Sequence, residues 1–368
     1  MSRRRNPVVT SPAGLIAAAL LAAAAPAGAA APEFGLNFQY DVADVDLGDT
    51  ETSHDDWRRQ RVSAAWKATD RVQLKLEYDF ASHAWTDAHV KLDSAAGTWR
   101  IGQFKQPFAL ETLTSDRNAL MMESAFGRVF GIDRRLGIGL EHGADAWLLQ
   151  GGVYGQNLDG SNPGTGLAVR GVWTPVRDEE RLLHVAAALG HERPDGPVSV
   201  SLRPETGVAP LRLGSTGGLA DADSLDRAGA ELAWRNGPLL LQGELARLDI
   251  ARDAHADVDA TGGYLAAGWM LTGEVRGYDG GVFEGPDPAR RWGALEATAR
   301  VSRVDLDGPG VAGIADIEGM DTTSVGLNWY LTGKTRLMAN YVRASQRGPA
   351  APMAVDPRIL EFRLQVGF

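Results

Sequence analysis

From Phe34 onward, apolar and polar residues alternate with a period of two. In "VQLKLEYDF", Val72, Leu74, Leu76, Tyr78 and Phe80 share one face, and Gln73, Lys75, Glu77 and Asp79 share the other. In "TTSVGLNWYL", Thr323, Val325, Leu327, Trp329 and Leu331 alternate with Ser324, Gly326, Asn328 and Tyr330. In "ILEFRLQVGF", Leu360, Phe362, Leu364, Val366 and Phe368 alternate with Glu361, Arg363, Gln365 and Gly367. Such alternation is the signature of a strand with two unlike faces. Similar runs lie near 36–46, 57–68, 86–93, 97–104, 136–143, 145–155, 166–174, 182–192, 227–235, 238–248, 262–272, 293–304 and 335–344. They bring the total to about sixteen, an even number. Each is about ten residues long, which suits a tilted membrane-crossing strand.

Short turn signals such as Thr69-Asp70-Arg71 and Thr332-Gly333-Lys334 alternate with longer polar segments such as 192–226, 249–260, 305–320 and 345–356. This rhythm predicts an all-β fold: a transmembrane antiparallel up-and-down β-barrel of about 16 strands in a bacterial outer membrane. Strands in lipid leave no edge unpaired, so the sheet must close. The apolar face often begins or ends in tryptophan (Trp57, Trp66, Trp147, Trp173, Trp234, Trp269, Trp329), as an interfacial girdle requires. A secreted sandwich with the same alternation would need fewer charges on its second face.

One stretch departs from the pattern. "WRIGQFKQPFALETLTSDRNALMMESAFGR" (99–128) opens as a strand, meets Gly102 and Pro107, and continues through a run, Asn118 to Glu123, that could form a short helix. Gly102 and Pro107 are expected to end strand pairing. Residues 105 to 128 are then expected to fold inward, as the third long loop, and to narrow the barrel.

Composition adds little to the fold but constrains function. The N-terminus carries Arg3, Arg4 and Arg5, an apolar run from Ala13 to Ala25, and Ala27-Gly28-Ala29. That order predicts a cleaved signal peptide over 1–29, leaving 30–368 as the barrel domain. There is no cysteine, hence no disulfide and no thiolate chemistry. The net charge is −10, and loss of a leader with three arginines and no acid leaves −13. This argues against a nucleic-acid partner.

Catalytic, cofactor and metal sites find little support. His54, Asp55 and Asp56 would be split between faces by alternation. His142, His184 and His191 lie on separate strands without ligand spacing. Gly137 and Gly139 precede no helix and form no phosphate loop. A barrel phospholipase would need a Ser–His pair facing lipid, and His89 and His184 lack an obvious partner.

Several stretches together resemble the phosphate-selective porin O and P family, over almost all of 30–368. "WRRQRVSAAW" with "VQLKLEYDF" looks like its second and third strands, "TDAHVKL" its fourth, and "RIGQFKQPFALETLTSDRNALMMES" its inward-folded third loop. "GYLAAGWMLTGEVRGY", "WGALEATARVSRVDLD" and "VGLNWYLTGKTRLMANYVRA" are similar to its later strands. The resemblance implies a sixteen-stranded barrel, a homotrimer, and diffusion of small anions such as phosphate or polyphosphate. It implies a constriction at Arg58, Arg59, Asp87 and Arg117. Lys105 joins these from the inward loop, and Arg61 from alternation. Two positions depart from the family: Asn37 stands where an arginine is usual, and Ser124 where Glu123 is commonly followed by arginine. In-phase Phe368 looks like the signal read by the barrel assembly machinery.

Charge phase leaves alternatives open. Strict alternation sends Arg59 and Arg61 inward and Arg58 outward, unless a bulge or a position above the lipid admits both of the pair. Inward-phase cations (Lys75, Lys91, Arg100, Arg170, Arg227, Arg235, Arg300, Arg336) nearly balance inward-phase acids (Glu77, Asp79, Asp87, Glu231, Glu244, Glu296). A row of arginines suits phosphate, because the guanidinium is planar, donates in pairs and stays ionised. A balanced lumen also suits a general porin for small polar solutes.

Overall fold

The computed structural model describes residues 31–308, 318–348 and 356–368. The expected signal peptide lies outside the described residues. Sixteen strands form a closed antiparallel barrel, each paired with its neighbours in sequence and the last with the first. They are β1 (Glu33–Asp46), β2 (Glu51–Thr69), β3 (Val72–Asp79), β4 (Ala84–Ser94), β5 (Gly97–Lys105), β6 (Arg134–Ala144), β7 (Trp147–Tyr154) and β8 (Gly164–Arg177). The wall continues with β9 (Arg181–Pro194), β10 (Ala222–Asn236), β11 (Leu239–Arg252), β12 (Val258–Met270), β13 (Ala294–Asp307), β14 (Gly319–Thr332), β15 (Thr335–Arg347) and β16 (Arg358–Gly367). Closure pairs Asn37 with Gly367 and Asp46 with Arg358.

The two faces are those the alternation predicts. On β16, Leu360, Phe362, Leu364 and Val366 face out, while Glu361, Arg363 and Gln365 are buried within. Several strands run past the expected ends. β2 begins at Glu51 rather than 57, because the all-polar 51–56 pairs with β1, as in Thr52 with Val45. Outside lipid both faces meet water, so pairing persists where the period-two signal fades.

Three connections fill much of the interior. The first is 106–133, which holds a single helical turn, α1 (Leu110–Leu113). The second is 195–221, with a two-residue hairpin at Ser201–Leu202 and Gly214–Ser215. The third is 271–293, at the short-turn end, with a hairpin at Tyr278–Asp279 and Val282–Phe283. The sequence reading anticipated only the first. Phe108, Leu110, Phe126, Phe130 and Leu202 pack against inward-facing Leu248, Ile250, Val258 and Tyr264 of β11 and β12. One side of the lumen is therefore a solid apolar core, and open space remains beside β1–β6.

Two expectations for 99–128 are corrected. Asn118–Glu123 is not helical; the turn of helix lies earlier, at Leu110–Leu113. The carbonyls a helix would use internally are taken by other side chains: Asn118 by Arg276 of the 271–293 connection, and Ala119, Leu120 and Met122 by Arg336, Asn328 and Arg363 of the wall. Nor does Gly102 end pairing. It lies inside β5 at φ 125°, opposite His89, and β5 runs on to Lys105. A Cβ there would meet the Ala88 carbonyl oxygen at 2.3 Å.

Candidate functional site

The site begins with an irregularity in β2. Gln39 pairs with Arg59 and Tyr40 with Trp57, so Arg58 is the extra residue of a bulge. A bulge leaves one residue unpaired and re-aims its side chain. Trp57 faces out, Arg59 is buried, and Arg58 turns in to meet Glu123 of the 106–133 connection. Its Nε and Nη2 donate to the two Glu123 carboxylate oxygens at 2.8 and 2.9 Å. Such a paired fork is the strongest arginine–carboxylate geometry.

The other five expected residues are placed as follows. Arg59 donates to Gln39 Oε1 at 2.5 Å and lies 2.9 Å from Asp116. Arg61 bridges Asp79 at 2.9 Å and Asp116 at 2.6 Å. Asp87 sits between Lys75 at 2.6 Å and Arg134 at 2.9 Å. Lys105 Nζ donates to the Thr112 and Thr114 carbonyls at 2.6 and 3.1 Å, bracing the turn after α1. Arg117 borders the open space, and its guanidinium has no hydrogen-bond or ion-pair partner among the described residues. Arg58 and Arg59 thus share the Glu123–Asp116 side of the connection, while Asp87 belongs to a neighbouring cluster with Lys75 and Arg134.

Glu123 gathers the basic residues. It also meets Arg363 at 2.8 Å and Arg128 at 3.4 Å. Burial pushes the Glu123 carboxyl up, but Arg58, Arg59 and Arg363 outweigh it and hold it well below the usual range. Asp116 behaves alike: burial raises it, and Arg59, Arg61, Lys105 and Arg134 bring it well below normal. Ser124, where the resemblance implies a base, is engaged within the connection. It donates to Glu111 at 2.7 Å and caps the Gly127 amide at 2.7 Å. Asn37 is buried and borders the open space, with Oδ1 unpaired.

The open space beside β1–β6 has a volume of about 700 Å³. Nine cationic side chains border it: Arg61, Lys75, Lys91, Arg100, Lys105, Arg117, Arg134, Lys334 and Arg336. Three acids do so: Glu77, Asp87 and Asp116. Each acid contacts two of the arginines or lysines; for Glu77 these are Arg61 at 3.9 Å and Arg134 at 4.0 Å. The near-balance expected from phase alone is therefore corrected for this space. Of the inward-phase acids, Glu231, Glu244 and Glu296 are consumed elsewhere. Glu231 pairs with Arg170 and Glu296 with Arg276. Glu244 accepts the Leu110 and Glu111 amides at 2.8 and 2.7 Å, which seats the start of α1.

Sequence reasoning missed three contributors. Arg134 precedes the run 136–143 and carries no phase of its own. Lys334 lies in a turn. Arg276 belongs to the unexpected inward segment 271–293. An unusually long connection at the short-turn end (271–293) was the one readable signal for the third inward segment.

The family model for phosphate-selective porins O and P matches residues 33–368. An uncharacterized protein of Caulobacter vibrioides is 28% identical over 341 residues, covering 84% of this chain and 66% of that protein. Porin O of Pseudomonas aeruginosa is 26% identical over 334 residues, covering 78% of this chain and 76% of that one. Among solved structures, an anion-selective porin from Comamonas acidovorans superimposes with a TM-score of 0.58 at 14% identity, covering 92% of this chain and 99% of that one. Matched along nearly all of its barrel, the chain belongs to the phosphate-selective porin O and P family.

Proposed function

We propose that this chain forms a water-filled, anion-preferring diffusion channel in the bacterial outer membrane, for small anions of the phosphate class. One observation carries the proposal: nine cationic side chains against three neutralised acids around the open lumen. Rings of like charge select ions in a pore. Lys91, Arg117 and Lys334 have no ion-pair partner among the described residues and offer their charge to solvent. Arg58, Arg59, Arg61, Asp87, Lys105 and Arg117 are proposed to shape the narrow part. In this reading Arg58 and Arg59 anchor the inward connection through Glu123 and Asp116, and Arg61 and Arg117 meet the ion. Separated cations hold an anion shallowly and repeatedly, which conduction requires. The family description and the Porin O relative support the phosphate class. We expect a homotrimer surrounded by outer-membrane lipid, as the resemblance implies.

A second reading, a general porin for small polar solutes, is favoured by Asn37 and Ser124, which remove two basic positions. Inorganic phosphate titrated against a chloride-carrying single channel separates the two. Phosphate is expected to depress the chloride current, and Lys91→Ala with Lys334→Ala to weaken that effect. Chloride current indifferent to phosphate would select the general porin.

A further inference from the structure

The outer face of the barrel is chemically lopsided along β10–β15. At the short-turn end it carries exposed tryptophans, Trp234, Trp269 and Trp329, with Trp292 of the adjoining connection beside them. Indole rings at that depth suit a zwitterionic headgroup layer. At the opposite end the outward positions change to arginine and aspartate. Arg247 lies 2.5 Å from Asp249 and 3.0 Å from Asp259. Arg303 lies 3.0 Å from Asp305, and Arg347 2.6 Å from Asp305 and 2.9 Å from Asp321.

Directly below these pairs lies a groove of about 980 Å³. Outward-facing small residues form its floor: Ala228 and Ala230 on β10 and Gly263 on β12. Leu245, Leu265 and Val301 form its walls. Arg247 and Arg303 border the same groove, with more than half of each side chain exposed. They stand on β11 and β13, strands about 10 Å apart, and are offset by two residues along them.

We propose that this face docks a phosphorylated, multi-acyl glycolipid of the outer leaflet, with Arg247 and Arg303 on its phosphates and an acyl chain in the groove. Three properties of the surface fit that occupant. Arginine binds phosphate through paired donors, and here three arginines stand among four aspartates beside an apolar wall. Exposed arginine–aspartate pairs are weak, so a phosphate competes for the guanidinium at little cost. The aspartates released then face the divalent cations that accompany phosphorylated lipids. The asymmetry itself matches a membrane with a zwitterionic inner leaflet and a strongly anionic outer one. This docking is independent of the lumen, and its failure would leave the channel proposal untouched.

The probe is bis-phosphorylated lipid A, added to the detergent-purified assembly in magnesium buffer and read by native mass spectrometry. Phosphatidylethanolamine serves as the comparison lipid. Wild type is expected to retain lipid A, and Arg247→Ala with Arg303→Ala to retain at least tenfold less. Phosphatidylethanolamine retention is expected to be equal in both. The Arg247→Lys, Arg303→Lys pair is expected to recover part of the binding, and all variants to conduct as wild type does, which verifies their folding. Equal lipid A retention by wild type and the alanine pair would overturn the proposal. So would dissociation of the assembly in the alanine pair, since that would make the face a contact between copies of the chain.

Discussion

At the scale of single residues, the cations divide by what they touch. Glu123 is buried against Arg58 and Arg363. Its removal leaves Arg58 without its carboxylate, although Arg363 keeps Asp41 at 2.6 Å, and breaking a buried pair in this way costs about 3–5 kcal/mol. Glu123→Ala is therefore expected to lower the unfolding temperature markedly in a heat-modifiability assay, besides altering selectivity. Arg117 is the opposite case. With no side-chain partner among the described residues, Arg117→Ala is expected to change stability by less than about 0.5 kcal/mol. The same substitution removes about 1 kcal/mol of attraction for a nearby anion at water-like dielectric. Reversal potentials beside thermal melts distinguish these two behaviours.

The pH dependence follows from the same contacts. Asp116 and Glu123 are held well below their usual values in the folded chain. A depressed carboxylate contributes stability above its unfolded value, near 4, and loses it only as pH falls through the lower folded value. Melting temperature and selectivity are thus expected to stay level from pH 7 down to about 4.5. A change of selectivity within that window would show that at least one of the two acids is not held as described.

At the scale of elements, two backbone irregularities set the site. The β2 bulge brings Arg58 inside beside Arg59, and Gly102 lets β4 and β5 close where a side chain would strike Ala88. Gly102→Ala forces a residue into a left-handed conformation against backbone and is expected to cost about 1–3 kcal/mol. A urea or heat titration beside wild type measures it. The sequence exposed these features unevenly. Alternation alone gave every wall strand and the inward phase of Arg59, Arg61 and Lys75. It could only pose the bulge as a conflict between Arg58 and Arg59, because register is a property of two strands. Asn118–Glu123 misled the reading for another reason. Its local preference is helical, but arginines of the wall and of the 271–293 connection capture its carbonyls, and those partners lie more than 150 residues away in sequence.

At the scale of the whole molecule, the balance of charge is settled by what fills the barrel. The chain is acidic, with a net charge of −10, yet the open lumen is lined by an excess of cations. Glu244 seats the 106–133 connection, Glu296 holds Arg276 of 271–293 and Glu231 is paired inside the wall with Arg170, while Lys91, Arg117 and Lys334 have no ion pair among the described residues. Counting phase along strands could not reveal this, since it treats every inward residue as lining water. Leu248, Ile250 and Val258 show the same limit, being inward and apolar because a connection packs on them.

The central claim is therefore a sign, and zero-current potential in a planar bilayer reads it directly. With a tenfold gradient of potassium chloride across the purified channel, the account predicts a potential of the anion-selective sign. That potential should collapse toward zero when Lys91, Arg117 and Lys334 are all changed to alanine. A cation-selective potential, unmoved by those three substitutions, would contradict it.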